Sequence, residues 1–588
     1  MILQALVKAY EALAERGELE KPGWLEVKVS FALELDGQGK LLQVFPLGLP
    51  DAKGKRTARP MKLPEMVKRA SGVAANFLCD NAMYMLGLDL KGKKERALKC
   101  CAACAALNTR LLQDVKHPMA RAICRFFETW DAEHAEEHPL IAPLLAELKA
   151  GGNLIFSMDS TFAQEVPEIR AAWDRHYGDR ADVPHGRCLV TGEESPIALL
   201  HPSIKGVPGA QPTGASLVSF NAVSYESYGR SASQGLNAPV SERAAFAYGA
   251  ALNYMLRERD YHTRLGDTTM VLWEAGAQRV YSAAMSYLMN SADDSSDDEL
   301  DQQKLLQAVE ELRRGRTALI DGVAMNPENR FYILGLAPNS SRLSVRFFLQ
   351  NSFRAFAENL HEHQKRLEIV RPAFDEREEL SLWMMLGETT NQKSKDKKPP
   401  DRLVGEVMRA ILSNAPYPVS LFEQVQLRLR AEQDVSRGKA AIIKAYLLKN
   451  VVRDDDAHPM KEVLKVKLND EATYTPYVLG RLFAVLEKLQ VDSTDSKLST
   501  TIRNRYFNAA CATPMLVFPT LIKLAQAHLN RANEGTRVYY DKMLQELYTR
   551  LDETYPKRLT LEEQGVFQLG YYHQKQKLWT KKEDRDNG

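Results

Sequence analysis

The chain has 588 residues, 45% of them hydrophobic and 26% charged, with a formal net charge of +2. This length exceeds one ordinary core and predicts three or four units, and the composition is that of a folded globular protein rather than a disordered one. A near-neutral total neither requires nor excludes a nucleic-acid partner, because local clustering of charge decides that.

Met1–Gly23 reads as an amphipathic helix interrupted by charge, not as a secretory signal, and no apolar run reaches the ~18 residues of a membrane span. Seven cysteines, an odd number, predict reduced thiols in a cytoplasmic chain. Apolar alternation from Trp24 to Leu35, the Asp36–Gly39 turn signal and Leu41–Phe45 predict a hairpin. From Lys53 to Arg69 there are seven Lys/Arg against one Glu, punctuated by proline, which predicts an exposed basic loop. Residues 81–150 read as helical, with a small-residue helix around Cys100–Leu112. Residues 184–240 are rich in Gly, Pro, Ser and Asn, and a loop segment of that length is uncommon unless functional. Ser241 is placed to cap the helix that follows.

Ser291–Asp301 is an acidic, low-complexity stretch that reads as a solvated linker. Arg330–Leu349 predicts a second hairpin turning at Pro338–Ser341, followed by a helix from Phe353. Asn391–Asp401 is polar, ends in Pro-Pro and marks a boundary, beyond which periodic segments predict helices throughout. The expected class is therefore α+β: a mixed region at 1–290, an acidic linker at 291–302, a middle α+β region at 303–390, a polar linker at 391–402 and an all-α bundle at 403–588.

Catalytic signatures are few. The chain has no GxxxxGK[ST], no GxGxxG after a strand and no GxSxG. His134-Ala-Glu-Glu-His138 fits HxxEH, in which two histidines on one helix face hold zinc and Glu137 acts as base. Pro139 follows at once, and the surrounding WDAEHAEEH is a polar surface pattern, so the solvated reading is preferred. Cys101-x-x-Cys104 lacks a second ligand pair and reads as helix packing. Cys188, beside His185 or His201 in sequence, has no orienting third group and reads as a structural thiol. No metal or cofactor is expected.

Two segments offer the chemistry of nucleic-acid contact, in which Lys and Arg meet phosphates and Asn and Gln meet base edges. One is Lys68-Arg69-Ala-Ser71 leading to Asn76 and Asn81. The other is the glycine-punctuated run of Lys205, Gln211, Thr213 and Asn221, with Tyr225, Tyr228 and Arg230 after it. Between Lys497 and Lys542 a basic bias (Arg503, Arg505, Arg531 among others) suits helices that track a strand. Composition alone also fits a solubilising loop, a structural crossover and a solvated helix face.

The strings SGVAANFLCDNAMYMLG (71–87), CLVTGEESPIALLHPSIKGVPGAQPTGASLVSFNAVSYESYG (188–229) and LEEQGVFQLGYYHQKQ (561–576) resemble the type I-C CRISPR large-subunit family, over most of the chain and in the expected order. One departure is Ala75, where the family carries Pro. The resemblance implies a non-catalytic subunit of an RNA-guided Cascade complex. Such a subunit recognises the short protospacer-adjacent motif in double-stranded target DNA, aids duplex opening and R-loop stabilisation, and helps recruit a helicase–nuclease. It implies as partners the guide RNA–protein complex, with its backbone and RNA-end-binding subunits, and no membrane. On that reading Lys68, Arg69, Ser71, Asn76, Asn81, Lys205, Gln211 and Asn221 are expected at the motif-reading site. Arg503, Arg505 and Arg531 are expected on the displaced strand or the backbone. The C-terminal region resembles the small-subunit bundle of such complexes, which relatives also make from an internal start. The rival readings are a metal-dependent hydrolase or nuclease using His134, Glu137 and His138, and a helical scaffold that touches only protein.

Overall fold

The structure, a computed structural model, describes residues 1–48, 58–67, 72–90, 92–178, 184–220, 222–227, 234–290, 307–312, 314, 316–320, 322–391, 393–394, 398–453, 455–494 and 500–579. It divides into two compact units, Leu3–Pro202 with Ser219–Ala251, and Ser203–Val218 with Leu252–Gly588. The expected mixed α+β class holds, with sheets in the N-terminal half and helices in the C-terminal region.

In the first unit β1 (Trp24–Leu35) organises the sheet. Its C-terminal half pairs antiparallel with β2 (Leu41–Pro46), as the turn residues predicted, with Asp36 accepting from the Gln38 and Lys40 amides at 2.8 Å. Its N-terminal half pairs with β3 (Arg59–Pro64). This corrects part of the expected basic loop: Met61 and Leu63 turn into a core while Arg59, Pro60 and Lys62 face out. The rest of that expected loop, 53–57 and 68–69, lies outside the described residues. On the other side β1 runs parallel to β5 (Asn153–Met158), which pairs with β4 (Cys79–Asn81) and β6 (Thr161–Phe162).

β1 divides its side chains between two cores by alternation from Phe31 on, and the register irregularity between Val29 and Phe31 puts Val29 with Ala32. Phe31, Leu33 and Leu35 pack with Phe156, Ile123, Phe126 and the helix Lys94–Leu112. Val29 and Ala32 join Met61, Leu63, Cys79 and Ile155 in a smaller cluster. The helix Lys94–Leu112 buries Cys100, Cys101 and Cys104 as expected of a packed small-residue face. Ser241 caps the helix Glu242–Arg257, its Oγ accepting from the Ala244 amide at 3.2 Å.

The second unit holds a six-stranded sheet in the order β9 (His262–Leu265), β10 (Thr268–Glu274), β11 (Arg330–Asn339), β12 (Arg342–Ser352), β8 (Ala215–Ser216), β7 (Ser203–Ile204). β11 and β12 form the predicted hairpin, and Ser352 caps the helix that starts at Phe353. Helices Asp401–Leu412, Val419–Glu432, Arg437–Tyr446, Thr475–Asp492, Ile502–Ala512, Pro514–Arg531, Glu534–Tyr548 and Leu561–Trp579 follow in the same unit. One hydrophobic core runs from Leu265 to Leu578 and draws on residues both before and after 391–402. The segment expected to separate two domains thus runs within one unit.

The string 561–576 explains the tightest packing here. Gly480 and Gly570 lie where helices Thr475–Asp492 and Leu561–Trp579 cross, and a Cβ on either would collide with the backbone of Phe567 or Tyr477. Around the crossing Tyr571 donates to Glu487 at 2.6 Å, Tyr572 to the Val370 carbonyl at 2.7 Å, and Tyr477 pairs with His573 at 2.8 Å. Gln568 and Gln426 exchange two hydrogen bonds of 2.8 Å. No helix among the described residues is long and apolar enough to cross a membrane.

Candidate nucleic-acid interface

The N-terminal candidate is a segment held rigid by buried amides. Asn76 is only 4% exposed; its side-chain oxygen accepts from the Val67 amide at 2.8 Å, and its own N–H donates to Asp80 at 3.0 Å. Asp80 is fully buried and accepts from the Asn81 N–H at 2.8 Å. Asn81 caps the turn Ala82–Met85, accepting from Met83 and Tyr84. Leu78 has a left-handed backbone (φ 61°), costly for a branched side chain. Its N–H donates at 2.9 Å to Asn108, a fully buried residue whose amide also donates to the Cys104 carbonyl. Phe77 stacks on Trp173 with centroids 5.5 Å apart.

This places two of the expected base readers differently. Asn76 and Asn81 spend their acceptor oxygens on backbone N–H groups inside the first unit, so they hold the segment rather than present a free edge to a base. Hydrogen bonds hold both flanks of residues 68–71: Val67 through Asn76, and Gly72 through Arg96, which donates to its carbonyl at 3.0 Å. Lys68, Arg69 and Ser71 stand between those flanks and lie outside the described residues.

The second candidate belongs to the other unit. β7 and β8 pair antiparallel, and β8 continues the sheet at β12, so residues 205–214 form an exposed connection at a sheet edge. Lys205 and Gln211 are both exposed. The base is clamped by Asn253, which accepts from the Lys205 N–H at 2.8 Å and donates to the Ser203 carbonyl at 3.1 Å. Gly214 is needed at the closing turn: its φ is +104°, and a Cβ there would sit 2.8 Å from the Ser203 Cβ. Asn221, Tyr228 and Arg230 lie outside the described residues, while Tyr225 is 45% exposed on a short 3-10 turn of the first unit.

Of the C-terminal arginines, Arg503 is turned inward. It pairs with Asp434 at 3.0 Å and with Glu487 at 3.6 Å. Arg505 is exposed, its guanidinium 5.7 Å from the Tyr506 ring centre, and Arg531 is exposed at the end of the helix Pro514–Arg531. Sequence reasoning missed Asn108 and Arg96, because what marks them is a partner distant in the chain.

The catalytic alternatives gain no geometry. His134–His138 is a single 3-10 turn, Ala135–Glu137, not a helix face. His134 pairs with Asp131 at 2.8 Å, and His138 accepts from the Leu140 N–H. Cys188 is buried; burial pushes its thiol up, but hydrogen bonds from Ser241 and Thr191 outweigh that and bring it down to about 7. Its sulfur is taken by the backbone amides of Val190, Thr191 and Ser241. Among the described residues no three His, Cys, Asp or Glu side chains cluster as metal ligands.

A family model described as CRISPR-associated protein (Cas_Csd1) matches residues 6–579. No curated protein matches the chain.

Proposed function

The chain belongs to the CRISPR-associated Csd1 family, and from that premise we propose that it is the non-catalytic large subunit of a type I-C Cascade complex. It acts in the cytoplasm, recognises the protospacer-adjacent motif in duplex DNA, helps open the duplex and hold the R-loop, and helps recruit a helicase–nuclease. In such a division of labour the guide RNA reads the target by pairing, and the protein reads a few base pairs together with DNA shape and charge.

The observation that carries the reading is the exposed edge connection 205–214, whose N-terminal end is clamped by Asn253 while Lys205 and Gln211 are exposed. A rigid base with small residues lets a backbone come close to a duplex, Gln offers a bidentate amide to a base edge, and Lys a point charge to a phosphate. The basic residues Lys68 and Arg69 support the same role by charge. Arg505 and Arg531 remain proposed contacts of the displaced strand.

The test is binding of the guide-loaded complex, with and without this chain, to duplexes carrying a motif library beside one target. The chain is expected to create motif-dependent, salt-sensitive binding without chelator-sensitive cleavage. Gln211→Ala should relax motif choice, by about 1–3 kcal/mol for a lost bidentate contact. Lys205→Ala should weaken all duplexes alike and lower the salt slope by about 1. Motif preference unchanged by adding the chain would overturn the reading.

A further inference from the structure

Between the core residues Ile369 and Leu380 of the second unit runs the segment Val370–Glu379. Its tip, Phe374, is 88% exposed. A single exposed apolar residue on a loose loop is ordinary. This loop is not loose. On its N-terminal side the Val370 N–H donates to the Val466 carbonyl at 2.8 Å, and the Val370 carbonyl accepts from Tyr572 at 2.7 Å. Across the tip the Asp375 N–H closes a turn on the Pro372 carbonyl at 3.0 Å, and Arg371 donates to the Glu376 carbonyl at 2.9 Å.

Beneath the tip lies an ion pair between Arg437 and Asp375 at 3.1 Å, with only 8% and 10% of the two side chains exposed. Arg437 also donates to the Arg377 and Glu378 carbonyls at 2.6 Å each. A buried pair of this kind adds little net stability, since desolvation offsets the attraction; its effect here is to fix the path of the chain. The fold thus immobilises a loop whose most prominent side chain is an aromatic ring facing water.

We propose that Phe374 is a preorganised anchor for a protein partner, one whose surface offers an apolar socket rimmed by Lys or Arg. Holding the ring in place beforehand removes the ordering cost of association, and aromatic side chains seated in pockets dominate such interfaces. The sign of the rim follows from the sequence. Among the exposed residues of the loop Glu376, Glu378 and Glu379 stand against Arg371 and Arg377, while the Asp375 side chain is mostly buried and paired with Arg437. Arg371 and Arg377 are also engaged within the loop, with the Glu376 carbonyl and with Asp375. That surplus of carboxylate repels phosphates, which disfavours a stacked nucleobase, and complements the basic surfaces of proteins that hold RNA. The partner class rests on the proposed function: it is a protein subunit of the guide-loaded complex.

The experiment uses the full chain and an immobilised guide-loaded complex assembled without it. Phe374→Ala is expected to weaken association at least tenfold with unchanged thermal melting, because the ring touches little of its own fold. Glu376→Lys with Glu378→Lys is expected to slow association and reverse its salt dependence. Affinity of Phe374→Ala within twofold of the parent overturns the anchor while leaving the family role intact. Wild-type chain that does not bind the complex removes both. Weakened binding of Phe374→Ala to naked guide RNA or to single-stranded DNA, with association to the complex unchanged, makes the ring a base-stacking group and overturns the protein partner.

Discussion

Asparagine carries one chemistry that serves two ends. The amide that matches an adenine edge also matches a backbone N–H, and only burial separates the uses. In the string 71–87 the structure resolves this toward the backbone: Asn76, Asn81 and, from a distant helix, Asn108 fix a segment that contains the strained Leu78. The string was legible in the sequence as unusual, and its residues do form one constellation. Their role was not legible, because the partners Val67 and Asn108 are reached only through the fold. Asn76→Ala is therefore expected to cost about 1–3 kcal/mol by leaving a backbone donor unsatisfied, read in urea unfolding, and to lower binding of right-motif and wrong-motif duplexes alike. Relaxed motif choice at unchanged stability would return Asn76 to base reading.

The elements show where periodicity suffices and where it fails. Both hairpins and the C-terminal helices followed from alternation and capping residues, since those signals are local. β3 did not: two prolines and a basic composition argued for a loop, while the inward pair Met61 and Leu63, spaced by two, was the strand signal. Helix crossings are likewise silent in a single sequence. The glycines of LEEQGVFQLGYYH belong to such a contact, in which backbone meets backbone. Gly570→Ala should force the helices Thr475–Asp492 and Leu561–Trp579 apart, at a cost of about 1–3 kcal/mol or more, seen as a fall in the thermal midpoint. An unchanged midpoint for Gly570→Ala would mean the helices do not cross this closely.

At the scale of the whole molecule, the second unit depends on histidines that stay neutral. Burial holds His363 and His573 down to about 3, helped by Lys449 and Arg366 near the first and by Lys444 and Arg481 near the second. In the unfolded chain both titrate near 6.5. Between those values the unfolded state binds more protons, so stability is complete above about pH 6.5 and falls as the pH drops toward 3, by about 1.4 kcal/mol per pH unit for each histidine. Urea midpoints at pH 7 and pH 5.5 check the slope, which His363→Phe should reduce; equal slopes in parent and variant would mean His363 titrates freely in the fold.

The same unit also tests what a domain boundary is. Composition places one at 391–402, and polar, proline-ended segments do separate domains in many chains. Yet Phe353, Phe356 and Leu360, before it, share a core with Val404, Leu421 and Ile443, after it, and Asn359 donates to the Leu412 carbonyl at 2.7 Å. Composition reports how a segment meets water; it does not report whether the faces on either side of it are buried against each other. A site-specific protease sequence inserted within 391–402 and cut is therefore expected to leave two fragments that co-elute under native conditions and part only in denaturant, because separating them exposes that shared apolar surface to water. Fragments that separate freely after the cut, each retaining its own cooperative unfolding, would restore the two-domain division and make the common core an accidental apposition.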